Sequence, residues 1–473
     1  MKRLDENRLL VERQGSMRVD AVIYADDRIR LEDSAVDQLK DAASLPGVSQ
    51  VLATPDIHHG YGVPIGSVVA MKEAVIPAAV GYDINCGMRV VTTPFKREEV
   101  DVDRVAESIA RDVPLGEGRR NVRLSQDEFR VVLERGVRGL AEIDRGNARV
   151  WQVRRPEDEA EDIAHIEDFG SLPRDASAIS ARAMDRGHEQ LATLGGGNHF
   201  IEVQVVERVE NAKVAEAFHL FEGQICVMIH TGSRGFGHQV ADEYMRTAKN
   251  KTVSQSPNPH LCFLPADSPE GQRYIGAMRA AANFAYTNRQ MLTQFVRHNI
   301  RHLYGDAPMP IVYDVTHNMA KLETHGRREL WVHRKGATRA FPPERMKDTP
   351  FEEIGQPELI PGSMGTASYV LVGTSRAAES LFSVNHGAGR VMSRTAATGR
   401  GRGRRKKQRP AAISDKRFAE TMRGIKLICA DRRSVKEEAP DAYKDIDAVI
   451  EVVAAAGLAE VVARLRPLAV LKG

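Results

Sequence analysis

A chain of 473 residues with 42% hydrophobic side chains can bury a large core, and its length alone would allow two or three domains. Its net charge is only +3, which excludes a general field drawing it to nucleic acid and leaves any such attraction to local patches. Four scattered cysteines with no CxxC pair exclude a disulfide scaffold, and no apolar run approaches membrane-spanning length.

The opening, MKRLDENRLLVERQG, is charged and carries no apolar export core, so a soluble cytoplasmic protein is expected. A reducing compartment also keeps Cys86 free. Strand-like and helical pieces then alternate without a fixed period. SAVDQLKDAA at 34–43, after the acidic EDS, reads as a capped helix, with a short strand near SQVLA at 49–53. GSVVAM at 66–71 and MRVVTT at 88–93 read as strands flanking a loop that carries Asp83 and Cys86. From 271 to 304 there is no proline, and Ile275, Met278, Ala282, Ala285, Leu292, Phe295 and Leu303 recur near helical spacing. The spacing predicts one long amphipathic helix or a kinked one. His298 and His302 share a face of it, without an acidic or cysteine partner, and read as surface or structural groups.

The densest basic run, RGRGRRKKQR at 400–409, lies in a loop expected over 397–412. Glycines bracket it and Pro410 follows. Such a segment suits RNA phosphates by counterion release, although a nuclear-localisation signal or a merely solvated insertion has the same composition. Beyond it, SDKRFAETMRG predicts a helix, GIKLICAD a strand, and AYKDIDAVIEVVAAAG a helix opened by acidic residues that suit its N-terminal dipole. LAVLKG closes the chain as a short strand ending at Lys472. No linker, repeat or composition break splits residues 1–473. The expected fold is therefore α+β, a single intertwined domain with mixed β-sheets and peripheral helices.

The chemistry concentrates in short turn-rich segments. NHGAGR at 385–390 sets His386 before glycines and an arginine, where an imidazole can attack or hold a phosphate. GYDINCGMR, LGGGNHFIE, VMIHTGSRGFGHQ and VTHN carry Asp83, Cys86, His199, His230 and His317. Taken singly, Cys86 reads as a buried small hydrophobe and His230 as a strand-end residue. Together they form a mixed S/N/O set suited to a borderline transition metal, and a thiolate that bridges would let five residues hold two ions. PGSMGTASY at 361–369 offers Ser363 and Ser368 hydroxyls to an anion, or is a loop between strands. Lys335 and Arg339 of HRKGATRA read as solvated cations or as part of an RNA path. Neither a P-loop nor a Rossmann fingerprint appears, nor a lysine nucleotidyl motif.

Those segments, with DIHHGYGVPIGSVVA, HRKGATRAFPP, PGSMGTASYVLVG, HGAGR, EEAPDAYKDID and the terminal LKG, run in order from about Asp56 to the last residue. In them the chain resembles the RtcB family of RNA-splicing ligases. The resemblance implies a GTP- and Mn2+-dependent ligase that joins RNA 2′,3′-cyclic phosphate or 3′-phosphate ends to 5′-hydroxyl ends, in tRNA splicing or RNA repair. It implies GMP carried on His386, and two ions held by Asp83, Cys86, His199, His230 and His317, with Cys86 touching both. Asn198, Glu202, Asn318, Ser363, Ser368, Tyr443 and Lys472 fall where the family contacts the guanine nucleotide. Arg234 and Arg390 fall where it meets phosphate. An activating protein partner is compatible with the resemblance.

The residues themselves set conditions on this chemistry. His386 must be unprotonated to attack, and cations near it disfavour imidazolium. Gly387 and Gly389 remove Cβ atoms that would block close approach of backbone to phosphate. A Glu202 carboxylate could accept from the guanine N1–H and 2-amino group, yet it stands an odd number of residues from His199, so an ideal strand would send the two to opposite faces. Only a bulge or a strand end reconciles them. Two further readings stand beside the ligase: a metal-dependent RNA-end phosphoesterase without ligation, and a noncatalytic RNA-binding protein built on the basic loop.

Overall fold

Two large sheets meet around the site in the computed structural model, which describes residues 1–143, 151–173, 179–399, 410–432 and 434–473. The first has seven strands in the order Lys2–Asp5, Arg8–Val11, Ala21–Tyr24, Val48–His58, Ile65–Met71, Arg328–Lys335 and Asn318–His325. The second runs Ile311–Thr316, Gly87–Lys96, Gln224–Thr231, Phe200–Val209, Ala459–Lys472, Ser368–Gly373 and Pro357–Ile360, with Lys426–Cys429 added beside Ala459–Lys472. Most neighbours are antiparallel, but Ala21–Tyr24 pairs parallel with Val48–His58, and Lys426–Cys429 parallel with Ala459–Lys472. The expected α+β fold with mixed sheets is what the chain adopts.

The strand Gln224–Thr231 shows why the centre reads as continuously apolar: all its residues are buried, because both faces are covered. Ile225, Val227 and Ile229 enter the core that holds Phe284, Met291 and Leu292 of the long helix, while Cys226 and Met228 enter a second core with Val462 and Leu465.

The long helix spans Pro269–Tyr304 without a break, capped by Ser268, whose hydroxyl accepts from the Gly271 amide, and started by Pro269. It departs from the amphipathic expectation. Asn283, Asn288, Arg289, Gln290 and Gln294 are as buried as its apolar residues, so it is a central element and not a peripheral one. Its polar groups hold the chain around it: Asn283 bonds Leu133 and Leu172, Asn288 bonds Thr193, and Arg289 makes a bidentate pair with Asp314 at 2.8 Å.

The terminal strand is also longer than LAVLKG suggested. It covers Ala459–Lys472, and Pro467 is accommodated where the register slips between Pro467 and Ala469. Helices at Asp33–Ala43, Asp415–Thr421 and Ile446–Ala455 fall where the sequence predicted them. The basic run at 400–409 lies outside the described residues. Its flanks are described: 397 and 398 close the helix Arg394–Thr398, and Ala412 and Ile413 donate back to the carbonyls of Ala396 and Ala397 at 3.0 and 3.3 Å.

Candidate active site

Strand register gathers the candidate metal ligands. Thr316 pairs with Gly87, Gly87 with Thr231, and His230 with Phe200, so four adjacent strands end or begin together. Cys86, His199, His230 and His317 sit at those ends, and Asp83 faces them from the turn before Cys86. The turn needs Asn85 at φ 57, a conformation that asparagine tolerates better than most residues. Asn85 is fixed there through Nδ2 to Ala282 O at 3.0 Å, and its own carbonyl accepts from Arg289 at 2.9 Å.

The donor atoms converge. Cys86 Sγ lies 3.3 Å from His199 Nε2 and 3.2 Å from His230 Nε2; His199 Nε2 lies 2.7 Å from Asp83 Oδ2, and His230 Nε2 lies 3.4 Å from His317 Nε2. Two sets of three result, Asp83/Cys86/His199 and Cys86/His230/His317, each with ligand atoms within 4.8 Å of one another and sharing the sulfur. Burial holds all three imidazoles below their ordinary pKa, so they are neutral and able to ligate. Burial, with Asp83 alongside, pushes the Cys86 thiol well above its ordinary value, and a cation in this pocket would reverse that. Sulfur, nitrogen and oxygen donors in these two sets fit a pair of borderline divalent ions.

Arg234, expected at a phosphate, stands behind this cluster and not on the cavity wall. Its Nη1 lies 2.9 Å from His199 Nδ1, and a Cβ on Gly195 would come within 1.9 Å of the guanidinium. Gly195 of LGGGNH therefore makes room for an arginine that braces a ligand.

His386 lines the same cavity directly beside the cluster, its ring centroid 4.8 Å from that of His317. Its loop is closed by Asn385, whose Nδ2 donates to Gly387 O at 2.8 Å. The ring is aimed by a residue that sequence reasoning did not single out. Asp56 Oδ2 accepts from His386 Nδ1 at 2.7 Å and from the His386 amide at 3.3 Å, while Thr54 donates to Oδ1 at 2.6 Å. With the proton that Asp56 accepts on Nδ1, Nε2 is the ring atom left to carry a lone pair. Burial raises the Asp56 pKa, but His386 and Thr54 outweigh it and hold the carboxyl below its ordinary value. The signal was an aspartate in the apolar run VLATPDI, where Pro55 interrupts the ladder and the register shifts between Ala53 and His58. Gly389 works here as well: at φ 76 its Cβ would lie 2.2 Å from Asp56 O, so the glycine seats the loop on the aspartate strand. That is a different service from the phosphate approach expected of it.

The cavity has a volume of about 320 Å³. Asn198, Asn318, Ser363, Tyr443, Lys472 and Arg390 line it. Lys472 is tied in by strand pairing with Phe200 and by Nζ to His199 O at 3.3 Å. Asn318 spends its amide on Asp83 O and the Gly336 amide, both at 3.0 Å. Glu202 and Ser368 lie beyond the lining, joined by Gln204, which donates to the carboxylate at 2.7 Å and to the hydroxyl at 3.0 Å. Burial pushes Glu202 up to about 8, against Gln204 and Lys472. His199 precedes the strand Phe200–Val209, the strand end that the parity argument required, and Glu202 stays off the lining.

Arg390 is already engaged, with Nη1 on Tyr443 Oη at 3.0 Å and Nη2 on Glu437 O at 2.6 Å. Buried Glu438 pairs with it at 3.3 Å, and with Arg394, another lining cation, at 2.9 Å. Lys335 also lines the cavity, donating to the carbonyls of Tyr61 and Val63, and burial pushes it down to about 7. Arg339 is not on the lining and pairs with Glu167 and Asp168 at 3.4 and 3.3 Å in the interior.

Fold and site together define an α+β enzyme in which an oriented histidine faces a sulfur-centred cluster of candidate metal ligands. A family model described as tRNA-splicing ligase RtcB matches residues 38–473. The chain is 44% identical to the tRNA-splicing ligase RtcB of Thermococcus kodakarensis, over 100% of this chain and 99% of that protein. It is 43% identical to that of Aeropyrum pernix, covering 97% and 96%, and 40% identical to RNA-splicing ligase RtcB homolog 1 of Entamoeba dispar, covering 93% and 82%. The chain belongs to the tRNA-splicing ligase RtcB family. Among the described residues no helix is long and apolar enough to cross a membrane.

Proposed function

We propose that this protein is a GTP- and Mn2+-dependent RNA ligase that joins a 2′,3′-cyclic phosphate or 3′-phosphate end to a 5′-hydroxyl end, in tRNA splicing or RNA repair. One observation carries the reading: His386, aimed by Asp56 and free at Nε2, shares a cavity with the Cys86-centred donors. Family membership supplies the RNA-joining class.

In this scheme a water first opens a cyclic end to a 3′-phosphate. His386 Nε2 attacks the α-phosphorus of GTP; an N–P bond forms, the bond to the bridging oxygen breaks, and pyrophosphate leaves. Asp56 stabilises the ring as it gains positive charge, holding the Nδ1 proton throughout. An oxygen of the RNA 3′-phosphate then takes GMP from the histidine, restoring the neutral imidazole. The 5′-hydroxyl attacks that activated phosphate, loses its proton, and GMP departs as the phosphodiester forms. Manganese ions held by Asp83, Cys86, His199, His230 and His317 would supply Lewis-acid neutralisation of phosphate oxygens. Lys472, Tyr443, Asn198, Asn318 and Ser363, which line the cavity, would bind the nucleotide, with Glu202 and Ser368 beyond the lining. Arg394 adds positive charge to the wall.

Incubation with GTP labelled on the α-phosphate and manganese tests this. The expected result is a covalent label on the wild type that His386→Ala abolishes. An unlabelled wild type that still opens cyclic phosphate ends would make the protein a phosphoesterase instead.

A further inference from the structure

A row of four rings borders the cavity. His238 stacks on Tyr82 with centroids 4.7 Å apart, Tyr82 meets Tyr61 at 5.6 Å, and Tyr61 meets His260 at 4.9 Å. The row runs between two exposed histidines, His260 and His238, the latter one helical turn after Arg234, which touches His199. Tyr61 and Tyr82 line the cavity. Tyr61 is 39% exposed, and among the described residues it is the only exposed large hydrophobic side chain that does so.

The Tyr61 ring is presented by a fixed backbone. Its carbonyl accepts from Lys335, and its hydroxyl lies 3.1 Å from His260 Nδ1. At the next residue, Gly62 has φ 77, and a Cβ there would meet Ala78 at 2.7 Å and His260 O at 2.8 Å. A ring held outward in this way loses little freedom when something stacks on it. Two guanidinium groups flank the row: Arg246 acts on Tyr82 and Arg186 on His238. The acidic groups beside them are Asp242, paired with Arg246, and Asp83 and Glu117 on the His238 side.

We propose that this row is a stacking platform for a nucleobase of the RNA strand whose end reacts at His386, with Tyr61 as its principal face. The inference rests on the ligase reading above. A cavity of 320 Å³ is at the small end for a single bound ligand, so a polynucleotide whose end is inside must leave across the mouth. Unpaired RNA bases are held by stacking on tyrosine and histidine while arginines take the phosphates, and this recognition is tolerant of sequence. The row offers those two chemistries side by side.

The test uses fluorescence anisotropy of the full-length protein with a single-stranded RNA carrying a 3′-phosphate. Tyr61→Ala is expected to weaken binding about tenfold, and Tyr61→Phe, which keeps the ring, to stay within about twofold of wild type. An abasic residue walked along the terminal nucleotides should reproduce the loss in the wild type at one position and add little in Tyr61→Ala. Wild-type affinity in Tyr61→Ala, failure of phenylalanine to restore it, or an abasic penalty equal in both proteins would overturn the platform. A wild type that takes the GTP label yet is indifferent to Tyr61 refutes this inference alone. A wild type that takes no label removes the ligase reading and the platform with it.

Discussion

Asp56 Oδ2 accepts the Nδ1 hydrogen of His386 at 2.7 Å, and the same carboxylate takes the His386 amide, so one buried side chain fixes both the ring and its loop. Asp56→Asn keeps the shape but offers a neutral amide, which no longer stabilises a ring gaining charge. Formation of the covalent GMP adduct is expected to slow by about 100-fold or more, measured in a single turnover with α-labelled GTP. A variant that labels at the wild-type rate would mean that the pair does not orient the attacking ring.

The same pair has a pH signature in stability. The folded-state pKa of Asp56 is depressed: burial raises it, but the His386 hydrogen bond and charge and the Thr54 hydroxyl more than offset this. Its contribution is therefore complete above the ordinary carboxylate range and is lost as pH falls through the depressed value. Urea unfolding midpoints should drop more steeply with acidification in the wild type than in Asp56→Asn. Parallel curves for the two proteins would contradict this.

Gly389 sits with φ 76 where a Cβ would lie 2.2 Å from Asp56 O, a backbone atom that cannot swing aside. Gly389→Ala must displace the His386 loop from the aspartate strand. It is expected to cost about 1–3 kcal/mol of stability by chemical denaturation and to lower adduct formation with it. Gly387 has a looser environment, its nearest neighbour being Pro361 O at 3.3 Å, so Gly387→Ala should be the milder change.

Cys86 belongs to both sets of candidate ligands, whereas His317 belongs to one. Manganese content after dialysis, read by mass spectrometry, should fall in Cys86→Ala to near zero. In His317→Ala it should fall to roughly half the wild-type value, because Asp83, Cys86 and His199 stay together. Equal losses in the two variants would argue against a shared sulfur.

Much of the site was legible because its residues lie in turns whose composition is unusual: a cysteine after DIN, a histidine after GGGN, another before GAGR. Their donor chemistry grouped them as one ligand set, and the resemblance gave each a role. What it left out were the braces. Asp56 hides in an apolar strand, Glu438 in the acidic stretch EEAPD, and Arg289 in a helix whose polar residues looked like a solvent face. Each acts through partners outside its own element, as Arg289 does on Asp314, Asn85 and Thr231. Local periodicity reports which residues share a face, and it cannot report that the face is buried against other polar groups. The same limit made Arg339 look like surface and made the final strand look short.

The basic run at 400–409 holds seven Arg or Lys among ten residues, and its ends return to hydrogen-bonded neighbours, Ala412 to Ala396 and Ile413 to Ala397. The chain on both sides is therefore closed without it, and a short Gly-Ser bridge in its place should leave the fold and the GTP label intact. RNA binding is the discriminating measurement. If these cations neutralise phosphates, removing each such ion pair reduces the slope of log affinity against log salt by about 0.7 for a single strand. The bridged variant should then bind RNA at least about tenfold more weakly at low salt and converge with the wild type as salt rises. An unchanged slope would mean that the run is solvated and that the arginines and rings at the cavity mouth carry the RNA unaided.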